Sequence, residues 1–162
     1  MSDNEQTPTN VEEVQNQLIS NWVSIGNVTG SDGYKLKMPS EIPASPGVYR
    51  IIGTKSGEVY IGEGRDLRKR LCDYQNAGFL PGPKANTNRF VQGWINKLLN
   101  EKNDSAQISI CTEAHILGAD ASVIPLDFQQ KYFRMLVESL TIFNDHKELT
   151  IINKQFLKAK ES

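Results

Sequence analysis

Hydrophobic and polar positions divide this chain into short runs rich in β-branched and aromatic residues and longer stretches with helical spacing. Val48 to Ile52 and Glu58 to Gly62 flank the turn-forming segment Gly53-Thr54-Lys55-Ser56-Gly57, which predicts an antiparallel hairpin. Each run carries a tyrosine, and pairing places Tyr49 opposite or next to Tyr60 on one face. Asp66 then caps a helix whose inward stripe is Leu67, Leu71 and Tyr74, with Gly78 as its stop. Arg70 lies on the border of that stripe, one turn before Tyr74.

The proline-containing stretch from Phe79 to Arg89 is read as a loop, and a helix over about Asn88 to Glu101 follows, with Phe90, Val91, Trp94, Ile95 and Leu98 inward. Gln107 to Thr112 alternates as a third strand. Pro125 to about Phe143 reads as the longest helix, with Phe128, Tyr132, Met135, Leu136, Ser139, Ile142 and Phe143 on its buried face. Toward the N-terminus, Asn10 and Glu13 suit a capping box, and Val11, Val14, Leu18 and Trp22 a helical stripe. Gly26 to Pro46 reads as an irregular connection with a short strand at Tyr34 to Met38. The expected fold is therefore α/β (α+β): a small antiparallel sheet of about three strands flanked by helices. Residues 1–9 and 155–162 are expected as tails, 10–46 as a helix and extension, and 47–154 as the main domain.

A chain of 162 residues suits one core. Cys72 and Cys111 show neither CxxC nor metal spacing, and His115 and His146 stand apart, so neither a disulfide framework nor a zinc site is expected. Without an apolar leader or a membrane-length run, the chain is expected in the cytoplasm.

The charge distribution changes the picture. Formal net charge is only −1, yet residues 47–102 hold ten basic against five acidic residues, while the segments on either side are acidic. Arg65, Arg68, Lys69 and Arg70 fall within six positions. A basic face on an acidic body suits a nucleic-acid partner, with Lys84, Asn88 and Arg89 extending the candidate contacts, although an uneven but solvated surface has the same charge pattern. Plain helix capping also accounts for Asn86, Thr87 and Asn88. Taken without wider context, the two tyrosines form a cross-strand core pair, and Glu138 a surface partner of Arg134 at i, i+4.

Gly47-Val48-Tyr49, the eleven residues from Tyr49 to Tyr60 in Tyr60-Ile61-Gly62, and Arg70 ten residues beyond together resemble the signature of the GIY-YIG nuclease family. That family includes homing endonucleases, some restriction enzymes and the incision subunit of bacterial excision repair. The resemblance spans roughly Pro46 to Lys154. It implies an acidic metal ligand on a later helix, where Glu138 stands, and an asparagine soon after, where Asn153 stands. Members similar to the excision-repair subunit commonly place a lysine after YIG; this chain has Glu63.

The chemistry so implied is metal-dependent hydrolysis of DNA. A single carboxylate, with water and phosphate oxygens completing the shell, suits Mg2+ or Mn2+. Arg70 would meet a non-bridging phosphate oxygen, Tyr49 would orient and deprotonate the water, Tyr60 and Tyr74 would hold water and phosphate, and Asn153 would fix the local geometry. A nucleic-acid-binding module that does not cut is the alternative. With one site per chain, cutting both strands calls for a homodimer or two successive events.

Overall fold

The computed structural model describes residues 16–31, 35–75 and 84–153. Seven strands form one sheet: β1 (Gln17–Ser31), β2 (Lys35–Lys37), β3 (Gly47–Gly53), β4 (Glu58–Gly64), β5 (Ala106–Leu117), β6 (Val123–Pro125) and β7 (Thr150–Ile151). Their order is β2-β1-β5-β3-β4-β7, with β6 paired to the far end of β5. All pairings are antiparallel except β4 with β7. The helices are α1 (Leu67–Gln75), α2 (Lys84–Asn96), which runs into a π-helical turn at Lys97–Glu101, and α3 (Lys131–Asp145).

The expected hairpin forms over the expected residues, closed by Gly57 N–H donating to the Gly53 carbonyl at 2.9 Å. Gly57 has φ +71°, a left-handed conformation that glycine adopts without strain. Asp104 anchors the tip. Its carboxylate accepts the backbone N–H groups of Lys55 at 2.8 Å, Ser56 at 2.9 Å and Ser105 at 2.7 Å. Burial pushes this carboxyl up, but those N–H donors outweigh it and hold it well below the usual carboxylate range.

β3 and β4 are covered on both faces. Tyr49, Ile51 and Tyr60 face α1 and α2 in a core with Leu67, Leu71, Tyr74, Val91, Ile95 and Leu98. Val48, Val59 and Ile61 face α3, against Phe128 and Val137. β4 therefore carries one set of side chains toward α1 and the alternate set toward α3.

Several expectations are corrected. The sheet has seven strands rather than about three, because the chain before residue 47 joins it as β1 and β2 and the short strands β6 and β7 add to β5 and β4. Leu18 and Trp22, expected on a helix, lie on β1, which pairs along β5 from Gln17↔Leu117 to Val28↔Ala106. That pairing satisfies the backbone of a polar segment, and two register irregularities accommodate its uneven pattern. Gly26 to Ser31 belongs to β1 and not to an irregular connection, whereas the expected short strand at Tyr34 to Met38 forms as β2. α2 begins four residues earlier than expected, and its last expected turn is the π turn. Val11, Val14, Gly78 and both tails lie outside the described residues.

α3 departs most from its expected face. Tyr132, Met135, Leu136 and Phe143 are 41 to 62% exposed, and the buried positions are Arg134, Val137 and Thr141. Arg134 does not pair with Glu138. Its Nε donates to Glu63 Oε2 at 2.7 Å, so a charged residue of α3 faces the sheet in a partly buried ion pair.

Candidate active site

β3, β4 and α1 bring three phenols together. Tyr49 pairs across from Gly62 and Ile51 from Tyr60, so the two tyrosines are diagonal neighbours with ring centroids 6.4 Å apart. Tyr74 meets both edge-on, at 6.2 Å from each. The hydroxyls of Tyr49 and Tyr74 are hydrogen-bonded.

Glycine makes this arrangement possible at two positions. A Cβ on Gly62 would stand 2.5 Å from Tyr49 Cζ and closer still to its hydroxyl. One on Gly47 would stand 2.6 Å from the Cys111 carbonyl oxygen and 2.8 Å from Leu67 Cδ1. The glycines of the motif are thus the space that the first phenol and the start of α1 occupy.

The start of α1 is fully engaged. Leu67 N–H donates to the Ser45 carbonyl at 2.9 Å, Arg68 N–H to the Pro43 carbonyl at 3.2 Å, and Lys69 N–H to Asp66 Oδ1 at 3.0 Å, so the expected cap forms. One turn on, Arg70 places its guanidinium 4.8 Å from the Tyr74 ring centre. Its Nη1 donates to Asn88 Oδ1 at 2.7 Å. Asn88, expected to contact nucleic acid, is instead buried and orients Arg70.

Arg65, Lys69 and Arg70 line an open cleft of about 570 Å³, together with Asp66, Asp73, Pro46 and Gln129. Arg65, Arg68, Lys69 and Arg89 are exposed. Arg68 also donates from Nε to the Ile42 carbonyl at 2.8 Å, so it ties the preceding loop to α1. The side chain of Lys84 lies outside the described residues.

Glu138 projects from α3 at the border of its buried side, half-buried and within electrostatic reach of Tyr49, Tyr60 and Arg70. Its carboxyl is pushed up to about 7 by burial and by the Glu63 carboxylate, against the opposing pull of Arg70 and Lys131. No described hydrogen bond or ion pair satisfies it. A half-buried oxygen donor without a hydrogen-bond or ion-pair partner could hold a hard cation. Among the described residues no three His, Cys, Asp or Glu side chains cluster at metal spacing.

Asn153 closes the open edge of β4. Its Oδ1 accepts from Ile61 N–H at 3.0 Å and its Nδ2 donates to the Ile61 carbonyl at 2.6 Å, as a neighbouring strand would. The amide thereby fixes the strand between Tyr60 and Gly62.

Water reaches the phenols unevenly. Tyr49 and Tyr74 have no exposed surface, while Tyr60 keeps 8%. Burial raises all three hydroxyls above their ordinary value. For Tyr60, hydrogen bonding from Tyr74 and the charge of Arg70 oppose that rise. The sequence did not single out Asn88 as a partner of Arg70 or Arg134 as a partner of Glu63, since both contacts join segments that are distant along the chain.

The similarity to known proteins is partial. The chain is 34% identical over 86 residues to UvrABC system protein C of Lawsonia intracellularis, a match covering 53% of this chain and 12% of that protein. It is 25% identical over 123 residues to UvrABC system protein C of Chelativorans sp., covering 71% of this chain and 17% of that one. No protein-family model matches, and no solved structure matches. The chain spans less than a fifth of the length of these curated relatives, and within that part it is similar to the C proteins of UvrABC systems.

Proposed function

We propose that this chain is a metal-dependent DNA endonuclease of GIY-YIG type. The observation that carries the reading is the meeting of Tyr49, Tyr60, Tyr74 and Arg70 within electrostatic reach of the unpartnered Glu138 carboxyl, with Arg70 also lining the cleft that Arg65 and Lys69 share with Asp66 and Asp73. The motif resemblance and the two UvrABC system relatives support a nuclease acting on DNA.

In this reading, Glu138 holds Mg2+ or Mn2+, which when bound supplies Lewis-acid stabilisation of the scissile phosphate and of the departing 3′ oxygen. Arg70, held on one side by Asn88, presents its remaining N–H groups to a non-bridging phosphate oxygen. Tyr60 orients the attacking water in this reading, as the one of the three tyrosines that keeps any exposed surface. Tyr74 and Arg70 offset part of the burial that disfavours a Tyr60 phenolate, and it is as the phenolate that Tyr60 would take the water's proton, becoming neutral as hydroxide attacks phosphorus. Tyr49 stands behind them, hydrogen-bonded to Tyr74, and supports the network instead of meeting the water itself. Arg65, Lys69 and Arg89 contact the DNA backbone, a sequence-independent attraction that weakens with salt.

A second reading, a DNA-binding module that does not cut, draws on the complete burial of Tyr49 and Tyr74. The test is conversion of supercoiled plasmid to nicked or linear forms in Mg2+, Mn2+ or EDTA, by the wild type and by Glu138→Ala. Cutting that requires metal and vanishes in the folded variant supports the nuclease. Salt-dependent DNA binding without nicking by the wild type supports the binding module.

A further inference from the structure

Arg134 is 5% exposed and stands one helical turn before Glu138 on α3. Its guanidinium joins two segments. Nε donates to Glu63 Oε2 at 2.7 Å, while Nη1 donates to the carbonyls of Phe128 at 2.7 Å and Gln129 at 3.2 Å. The first contact reaches β4 immediately after Tyr60-Ile61-Gly62. The other two reach the loop that enters α3, a helix whose N-cap, Gln130, makes no side-chain capping bond. Arg134 therefore fastens the start of α3 at two points, and one of them is the strand that carries Tyr60.

Strand alternation explains why Glu63 is the residue that meets it. Tyr60 and Gly62 face α1, so Ile61 and Glu63 face α3. Glu63 pairs across from Val48, the neighbour of Tyr49. Four residues separate Arg134 from Glu138, about 6 Å along the helix axis. A guanidinium and carboxylate held at 2.7 Å leave the two elements little freedom to slide. On the other side of Ile61, Asn153 fixes the same strand through its edge.

We propose that Arg134 and Glu63 are positioning residues: their ion pair sets α3 against β4 so that the Glu138 carboxylate stands where a cation can also reach phosphate held by Arg70. The proposal rests on Glu138 as the cation ligand. It gives Glu63, which occupies the place after the Tyr60-Ile61-Gly62 motif, a role that does not require it to touch substrate.

Electrostatics and positioning predict opposite signs for one variant. Removing the positive charge of Arg134 should tighten binding of a cation if charge alone matters. If the ion pair positions Glu138, the same change weakens binding. Mn2+ binding to the full chain, followed by the electron paramagnetic resonance of the free ion, reads this without DNA or catalysis. Circular dichroism confirms folding of each variant. The wild type is expected to bind one Mn2+ with low affinity, and Glu138→Gln to lose it. Arg134→Met is expected to weaken binding about tenfold, with partial recovery in Arg134→Lys. Because Arg134→Met leaves the partly buried Glu63 without its partner, the double variant Glu63→Gln/Arg134→Met is measured beside it and is expected to show the same weakening. Wild-type affinity or tighter in both Met variants overturns the positioning role and leaves the nuclease reading intact. Absence of Mn2+ binding by the wild type, or its survival in Glu138→Gln, overturns the cation assignment and the positioning role together.

Discussion

Replacing Gly62 by alanine tests the packing on which the phenol cluster depends. The added Cβ would stand 2.5 Å from Tyr49 Cζ and 3.0 Å from Cε1, with the hydroxyl nearer still. Tyr49 is fully buried in the core between the sheet and α1, so its ring has no open space to enter. Forcing extra volume into such a site costs about 1–3 kcal/mol, and displacing the phenol breaks its hydrogen bond to Tyr74, for about 1 kcal/mol more. Reduced freedom of the unfolded chain returns about 0.4–1 kcal/mol. The net expectation is a loss of about 2–3 kcal/mol, or roughly 5–10 °C in melting temperature for a domain of this size. Gly93→Ala is the control. It sits exposed in α2 with nothing within 4 Å of an added Cβ, so it is expected to gain about 0.5–1 kcal/mol of helix propensity. Urea unfolding monitored by far-ultraviolet circular dichroism gives both numbers, and the near-ultraviolet tyrosine signal reports the cluster itself. A Gly62→Ala protein as stable as the wild type, with an unchanged tyrosine signal, would refute the close approach of Tyr49 to β4.

Further outcomes follow from other contacts. Asn88→Ala should leave Arg70 charged but unoriented; plasmid nicking is expected to fall about ten- to a hundredfold, a loss of about 1.4–2.7 kcal/mol in transition-state stabilisation, with little change in melting temperature. Asp104→Ala should cost about 2 kcal/mol at neutral pH by releasing the backbone donors of the hairpin tip. Because the folded carboxyl is held below its ordinary value, that contribution is present above about pH 4 and is lost as the pH falls further, so urea midpoints of the two proteins should converge in acid. Glu138 has the opposite sign. With its carboxyl pushed up to about 7, the metal-free protein should lose stability as the pH rises from about 4.5 to 7. Glu138→Gln should remove that loss, and Mn2+ affinity of the wild type should increase over the same range.

The hairpin, α1 and the core of β5 were legible because each announces itself locally, through a turn between two strand-like runs, a cap with a helical stripe, or strict alternation. The tyrosine pairing and the placement of Arg70 beside Tyr74 follow from the same local periods. β1 was not legible. Its Leu18 and Trp22 share helical spacing with Val11 and Val14, and only the pairing with β5, about ninety residues away, makes the segment a strand. The face of α3 was misread for a related reason. Periodicity assigns apolar side chains inward, whereas the Arg134 to Glu63 pair and the packing of Val137 and Thr141 turn a different side to the sheet. Asn88 was legible as a capping or phosphate-binding type, but its engagement with Arg70 requires knowing how α1 and α2 meet.

The amide clamp of Asn153 has a consequence for the timing of assembly. It bonds Ile61 across 92 residues of sequence, while Tyr49, Tyr60, Arg70 and Tyr74 all lie within one short stretch. Synthesis delivers the phenols and guanidinium first, the Glu138 carboxylate much later, and the clamp later still. A partly synthesised chain can thus hold the hairpin and α1 without the carboxylate that completes the site. Because distant contacts form slowly, completion of the site is tied to closure of the sheet edge, and any catalytic competence it carries arrives with the finished fold.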